Sequence, residues 1–337
     1  MLNILLILLP VFILSVNFIL IKQSFLLNFN GDKHQKFVTK KEIPLSGGFF
    51  LFAYLVIFFI DHPIIIFATS FFLIGLLSDI KKINSAVIRL ILQISCLYFF
   101  INLSNLALQN TGVDFFDALL ENNFFNQLFV LFCILIIING TNFIDGLNTN
   151  VLGYYIILSA FLYYIEKDYF IQNLPYWNYW IIILIILFIF NLFNSLFLGD
   201  SGSYLLGFIY GFILVDFYNF NHTSISSLYI ILLSWYPCYE ILFSIIRKFR
   251  FNRSPVKPDT KHLHQFIYIL FKTKFKLKEY NANILSAILI NFCNFIIRNF
   301  ASLNISNTKY QLVLILISIS FYTLLYLFLF KKIILKN

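Results

Sequence analysis

Uncharged apolar runs that approach bilayer length constrain this chain more than any other feature. Residues 125–138 (FNQLFVLFCILIII) and 151–165 (VLGYYIILSAFLYYI) carry no charge, and between them lies NGTNFIDGLNTN. Those twelve residues hold four Asn, two Thr, two Gly and one Asp, and Asp145 is the only charge between Glu121 and Glu166. Apolar sequence that opens into amides has reached water, or a water-lined site inside protein. The whole chain follows suit, with only 12% charged residues and a mean hydropathy of +0.86. A soluble chain would carry roughly a quarter charged residues. The expectation is an all-α polytopic membrane protein, and a water-soluble enzyme is excluded.

Eleven spans are expected, near 2–21, 46–60, 63–78, 86–103, 125–140, 151–165, 178–197, 203–217, 226–246, 281–300 and 311–330. The first run lacks a basic n-region and a small-residue cleavage site, so it reads as a retained helix. Cys96, Cys133, Cys238 and Cys293 all sit in apolar runs without ligand-like spacing and read as small buried hydrophobes. With the N-terminus outside, 21 of the 24 basic residues fall on the cytoplasmic side and only Lys167, Arg298 and Lys309 fall outside. The net charge of +9 therefore reads mainly as membrane orientation. The same basic face suits anionic lipid headgroups or a polyanionic substrate. No repeat, linker or separate soluble domain is visible. Residues 1–337 read as one integral membrane domain, with a basic, histidine-bearing cytoplasmic loop at 247–280.

Five polar islands then collect on the cytoplasmic side. PLSGG (44–48) reads, taken alone, as a plain helix start, or as a turn leading into a helix whose backbone can be approached closely. SDIKKINS (78–85) carries Asp79, which reads as a helix cap, as a partner for the lysines or as a site residue. Asn142 and Asp145, three apart, share one face of a last helical turn, or belong to an Asx-rich cap. FLGDSGS (197–203) holds Asp200, the only charge between Asp168 and Asp216, and Asp caps helices well. Capping alone does not explain why Asp200 returns to the face that holds Asp79 and Asp145. Three carboxylates so placed repel one another unless a cation intervenes, and a hard divalent ion with oxygen ligands is the simplest remedy. The fifth island, RKFRFNRSPVKPDTKHLHQ (247–265), cannot be one continuous helix because of Pro255 and Pro258. His262 and His264 stand there beside Arg253, Lys257 and Lys261, a composition suited to phosphate oxygens. Nucleic acid is not the expected partner, because aromatic interleaving is absent from this basic membrane-surface loop.

PLSGG, LLSDIKKINSAVIR, NFIDG, FLGDSGS and RSPVKPDTKHLHQ occur here in that order. The set resembles the polyprenyl-phosphate N-acetylhexosamine-1-phosphate transferases (glycosyltransferase family 4), over about residues 33–265. The resemblance implies transfer of a sugar-1-phosphate from a UDP-activated amino sugar to a polyprenyl phosphate, releasing UMP, with Mg²⁺ or Mn²⁺ required. It implies a multi-pass protein of the inner (cytoplasmic) membrane with a cytoplasmic active site and C-terminus. It further implies Asp200 as metal ligand, Asp79, Asp200, His262 and His264 as catalytic residues, and Asn142 and Asp145 near the nucleotide. Ser78, Arg89, Arg253 and Lys257 complete the substrate-binding set. The HLHQ form is closer to the GlcNAc-1-phosphate branch, which starts lipid-linked envelope glycans such as O-antigen. The UDP-MurNAc-pentapeptide translocase, whose motif is HHH, is the alternative.

One departure stands out: the family pattern has two adjacent aspartates where this chain has Ser78-Asp79. An active enzyme with altered metal or acceptor geometry is expected. A catalytically impaired scaffold is the rival that Ser78 keeps open. An ion-coupled transporter is the rival of another class, but it should show midplane polar residues and an internal repeat. A homodimer is compatible with the sequence.

Overall fold

The computed structural model describes residues 2–28, 42–252, 254 and 261–334. In chain order its helices are α1 (Leu2–Lys22), α2 (Gly47–Phe59), α3 (Ile64–Asp79), α4 (Ala86–Ser104) and α5 (Asp114–Leu120). There follow α6 (Asn123–Ile144), α7 (Asn150–Ile165), α8 (Lys167–Asn173), α9 (Trp177–Leu192) and α10 (Gly199–Asn221). The last five are α11 (Ser227–Leu233), α12 (Trp235–Arg250), α13 (Leu263–Thr273), α14 (Glu279–Ser302) and α15 (Thr308–Ile334). Among the described residues the only β-type pairing is one antiparallel bridge between Leu27 and Pro44. The all-α membrane architecture is as expected from the apolar runs.

The number of spans is not. Among the described residues, α4, α6, α10, α14 and α15 are long and apolar enough to cross a membrane, and two bent pairs raise the number to seven. Those pairs are α8 with α9, bent by 100°, and α11 with α12, bent by 77°. The expected run at 226–246 is broken into α11 and α12, and among the described residues the part Ile7–Lys22 of α1 falls short, as do α2, α3 and α7. At 13 residues, α2 is roughly 20 Å long against a hydrocarbon core of about 30 Å. Elsewhere the helices outrun the expectation. The polar sequences NGTNFI and GDSGS form the last turns of α6 and the first turn of α10, not loops between spans. Asn and Gly weaken a helix only mildly when packing supports it.

Helix α10 is the axis of the bundle. Most of its length is buried, and it packs on α2, α3 and α6. The approach to α3 is so close that a Cβ on Gly75 would lie 2.4 Å from Ser201 Cα. The PLSGG turn is drawn in as expected: the Gly47 N–H donates to the Phe197 carbonyl at 2.9 Å, and the Phe197 N–H to the Pro44 carbonyl at 2.8 Å. Apolar side chains turned outward, such as Ile7, Leu103 and Leu303, make the lipid-facing surface.

Arg298, expected as a charge outside the membrane, is sealed in the bundle with 0% exposure. It donates to the Leu233 carbonyl at 2.7 Å and the Tyr154 carbonyl at 3.2 Å, with its guanidinium 4.1 Å from the Tyr154 ring centre. Leu233 ends α11 at the bend, so its carbonyl lacks a helical partner and Arg298 supplies one. The four cysteines are free thiols, half-buried and not fully enclosed.

Candidate active site

The first turn of α10 is fixed by α3. Asp79, the last residue of α3, accepts the Asp200 N–H at 2.8 Å and the Ser201 N–H at 3.0 Å. Asp79 is thus a cap, but for a neighbouring helix, where the positive end of the helix dipole favours a carboxylate. Gly199 has φ +75°, a left-handed conformation that favours glycine. A Cβ there would also come 2.7 Å from Asp79 Oδ2.

With Asp79 occupied by backbone, the Asp200 side chain faces the neighbouring elements. Its Oδ2 accepts from the Ser78 hydroxyl at 2.5 Å and from Arg89 Nη1 at 2.6 Å, while its Oδ1 accepts from the Asn142 amide at 2.7 Å. Arg89 Nη1 also donates to Ser78 Oγ at 2.6 Å. Three side chains, from α3, α4 and α6, therefore close on one carboxylate of α10. The ion pair is part open, its side chains 22% and 28% exposed. One turn along α10, the Ser203 hydroxyl donates to Asp145 Oδ2 at 2.7 Å. Asn142 and Asp145 thus share the face that the three-residue spacing requires. Withdrawal from water, partly relieved by Ser203 and reinforced by the nearby Asp200 charge, pushes the Asp145 carboxyl up to about 7.

The histidines approach from the other side. His262 precedes α13, and its backbone N–H donates to Gln265 Oε1 at 3.1 Å. The His262 and His264 rings are parallel within 6°, with centroids 5.5 Å apart. His264 is buried, and among the described residues neither of its ring nitrogens has a hydrogen-bond partner. Its Nε2 would lie 2.4 Å from a Cβ on Gly146, the residue after Asp145. Burial, reinforced by the neighbouring His262, drives the His264 imidazole down to about 3, so it is neutral near pH 7. A buried polar ring with no protein partner calls for an explanation, by an ordered water or by a role in the site.

Ser78, Asp79, Arg89, Asn142, Asp145 and Asp200 are thereby brought into one connected cluster, and the histidine pair reaches it through Gly146. Arg253 and Lys257 lie outside the described residues. Two further residues join the site. Glu240 Oε1 meets His262 Nδ1 at 3.0 Å, and the Tyr322 hydroxyl donates to Glu240 Oε2 at 2.6 Å. Glu240 had a readable signal, as the only charge between Asp216 and Arg247 in an apolar run. Tyr322 had none.

Among the described residues no three His, Cys, Asp or Glu side chains converge as a complete metal cage. The donor chemistry nonetheless suits Mg²⁺, which is commonly held by one or two carboxylates plus waters and substrate phosphates. Among the described residues Asp200 Oδ1 accepts only the Asn142 amide, so it keeps acceptor capacity.

Residues 62–218 match the model of the family described as "Glycosyl transferase family 4". That segment contains every member of the Asp200 cluster and stops short of Glu240 and the histidines. Over 224 residues the chain is 27% identical to an undecaprenyl-phosphate alpha-N-acetylglucosaminyl 1-phosphate transferase from Thermotoga maritima. The match covers 66% of this chain and 67% of that relative.

Proposed function

We propose, from the match of residues 62–218 to the glycosyl transferase family 4 model and from the 27% identical relative, that the chain is a member of that family and moves a HexNAc-1-phosphate from a UDP-amino sugar to a polyprenyl phosphate. A lipid phosphate oxygen forms a bond to the sugar-bearing phosphorus, the bond from that phosphorus to the bridging oxygen breaks, and UMP leaves. The observation that carries this reading is the Asp200 cluster. Its carboxylate, held by a guanidinium, a hydroxyl and an amide, stands one helical turn from Ser203, which donates to Asp145, and the residue after Asp145 lies against His264.

Charge management dominates such chemistry. Arg89 offers a fixed cation to phosphate oxygens at the open edge of its pair with Asp200. Asn142 and Asp145 take the nucleotide side. His264 places one N–H donor against the pyrophosphate beside His262, and Arg253 and Lys257, outside the described residues, are proposed as further phosphate ligands from the sequence alone. Ser78 brings no charge, and none is needed for proton removal, because a lipid phosphate is already anionic near neutral pH. Asp79 serves the site by holding the α10 turn that aims Asp200. Mg²⁺ or Mn²⁺, bound through Asp200 and pyrophosphate oxygens, would supply neutralisation of the phosphate charge. The acceptor is a membrane lipid, so the reaction belongs at the cytoplasmic face of the inner membrane and begins a lipid-linked envelope glycan.

A panel of UDP-HexNAc donors, presented with polyprenyl phosphate and Mg²⁺ to the purified full chain, tests the proposal. Turnover of at least one donor, dependent on both the lipid phosphate and the divalent ion, is expected. No turnover of any donor by protein shown to be folded would end it.

A further inference from the structure

The histidine wall has a support that lies wholly outside the family-matched segment. Glu240, on α12, is 1% exposed, and neither Lys nor Arg reaches it among the described residues. A buried carboxylate in that position must take its hydrogen bonds from neutral or shared-proton donors. Tyr322, on α15, donates to one oxygen at 2.6 Å, which leaves the other for His262 Nδ1 at 3.0 Å. A carboxylate that accepts from one ring nitrogen fixes both the tautomer and the plane of an imidazole. His264 is stacked on that plane, with its nitrogens unpartnered beside Gly146. The same C-terminal helix anchors the approach to α13, since the Tyr326 hydroxyl donates to the Lys261 carbonyl at 3.0 Å.

We infer that Glu240 is a positioning residue for phosphoryl transfer. It holds His262 with Nδ1 as the proton-bearing nitrogen, so that the stacked His262–His264 pair meets the substrate phosphates, and Tyr322 holds Glu240. The inference rests on the proposed transferase reading for its effect on rate, but its structural half stands apart from any activity.

The test combines imidazole ¹⁵N NMR with turnover, on the full chain in detergent or nanodiscs. The chain has five histidines, and His262→Gln assigns the resonance of interest. In the unaltered protein the His262 signals should report a protonated Nδ1. In Glu240→Gln they should move away from that pattern, and UMP release should fall by about tenfold to a hundredfold, as for other partners that orient a reactive imidazole. Glu240→Asp should restore part of the rate, and Tyr322→Phe should lose several-fold. His262 signals unmoved in both Glu240→Gln and Tyr322→Phe would overturn the inference, as would a folded Glu240→Gln that releases UMP within twofold of the unaltered chain. If the unaltered chain turns over no donor, the transferase reading fails, and the NMR arm still decides whether Glu240 sets the His262 tautomer.

Discussion

Arg89 and Arg298 are two arginines in an apolar bundle, and they are satisfied in opposite ways. Arg89 binds side chains, the Ser78 hydroxyl and the Asp200 carboxylate, and its side chain is 22% exposed. Arg298 has 0% exposure and binds backbone, the carbonyls of Leu233 and Tyr154, with a tyrosine ring against its face. Removing a guanidinium from water costs several kcal/mol, so a sealed arginine is tolerated only where it repairs another defect. Here the defect is the bend between α11 and α12. A charge whose partners are side chains and whose edge is open can exchange them for a ligand. A charge locked to carbonyls at a broken helix is architecture.

Substitutions can break or sharpen this contrast. Asp200→Asn keeps the shape of the cluster but removes the charge paired with Arg89. Turnover should drop by about 10³-fold with the unfolding midpoint nearly unchanged, and a large loss of stability instead would make Asp200 structural. Arg298→Ala should do the reverse. Two carbonyl contacts and a ring contact disappear and a cavity opens, so thermal unfolding should register a loss of about 3 kcal/mol. Full stability in that variant would remove the architectural role. Arg89→Ala should cost about a hundredfold in turnover while leaving stability within about 1 kcal/mol, and Arg89→Lys should recover part of the rate without the planar fork. Gly146→Ala pushes a methyl against His264 Nε2, and a rate loss of about tenfold is expected from ring displacement.

The smallest effect is a pair of opposed pH dependences. The Asp145 carboxyl is raised from 3.8 to about 7 in the fold, so its protonated form stabilises at low pH and that contribution is lost as pH rises through 7. His264 is lowered from 6.5 to about 3, so its contribution is present above 6.5 and is lost as pH falls towards 3. Between about 4 and 6.5 the two cancel in proton count. Relative to the unaltered chain, Asp145→Asn should gain stability as pH rises through 7, and His264→Asn should gain it as pH falls below 6.5. Slopes of the same sign in stability measured against pH would contradict the assigned environments.

Much of the Asp200 cluster was legible because a lone charge in apolar sequence has few reasons to exist. Asp145 and Asp200 were found that way, and Asn142 by its helical spacing from Asp145. Glu240 carries the same signal but falls inside an apolar run and not at a polar break. Tyr322 is one of 20 tyrosines, and only packing distinguishes the one that meets a carboxylate. Arg298 was misread because charge near a run's end usually reports topology, whereas its burial follows from a helix break that no local pattern announces. The count of eleven spans is not supported for a related reason: apolar composition marks burial in either lipid or protein, and among the described residues five to seven helices are long and apolar enough to cross a membrane.

The identity of the leaving nucleotide tests the central claim most directly. With a turned-over UDP-HexNAc donor and polyprenyl phosphate, the nucleotide and the lipid product can be quantified together by mass spectrometry. Phosphoryl transfer at the Asp200 cluster predicts UMP and a lipid diphosphate sugar in equal amounts, both lost in Asp200→Asn. Release of UDP with a lipid monophosphate sugar, or equal product from Asp200→Asn, would contradict it.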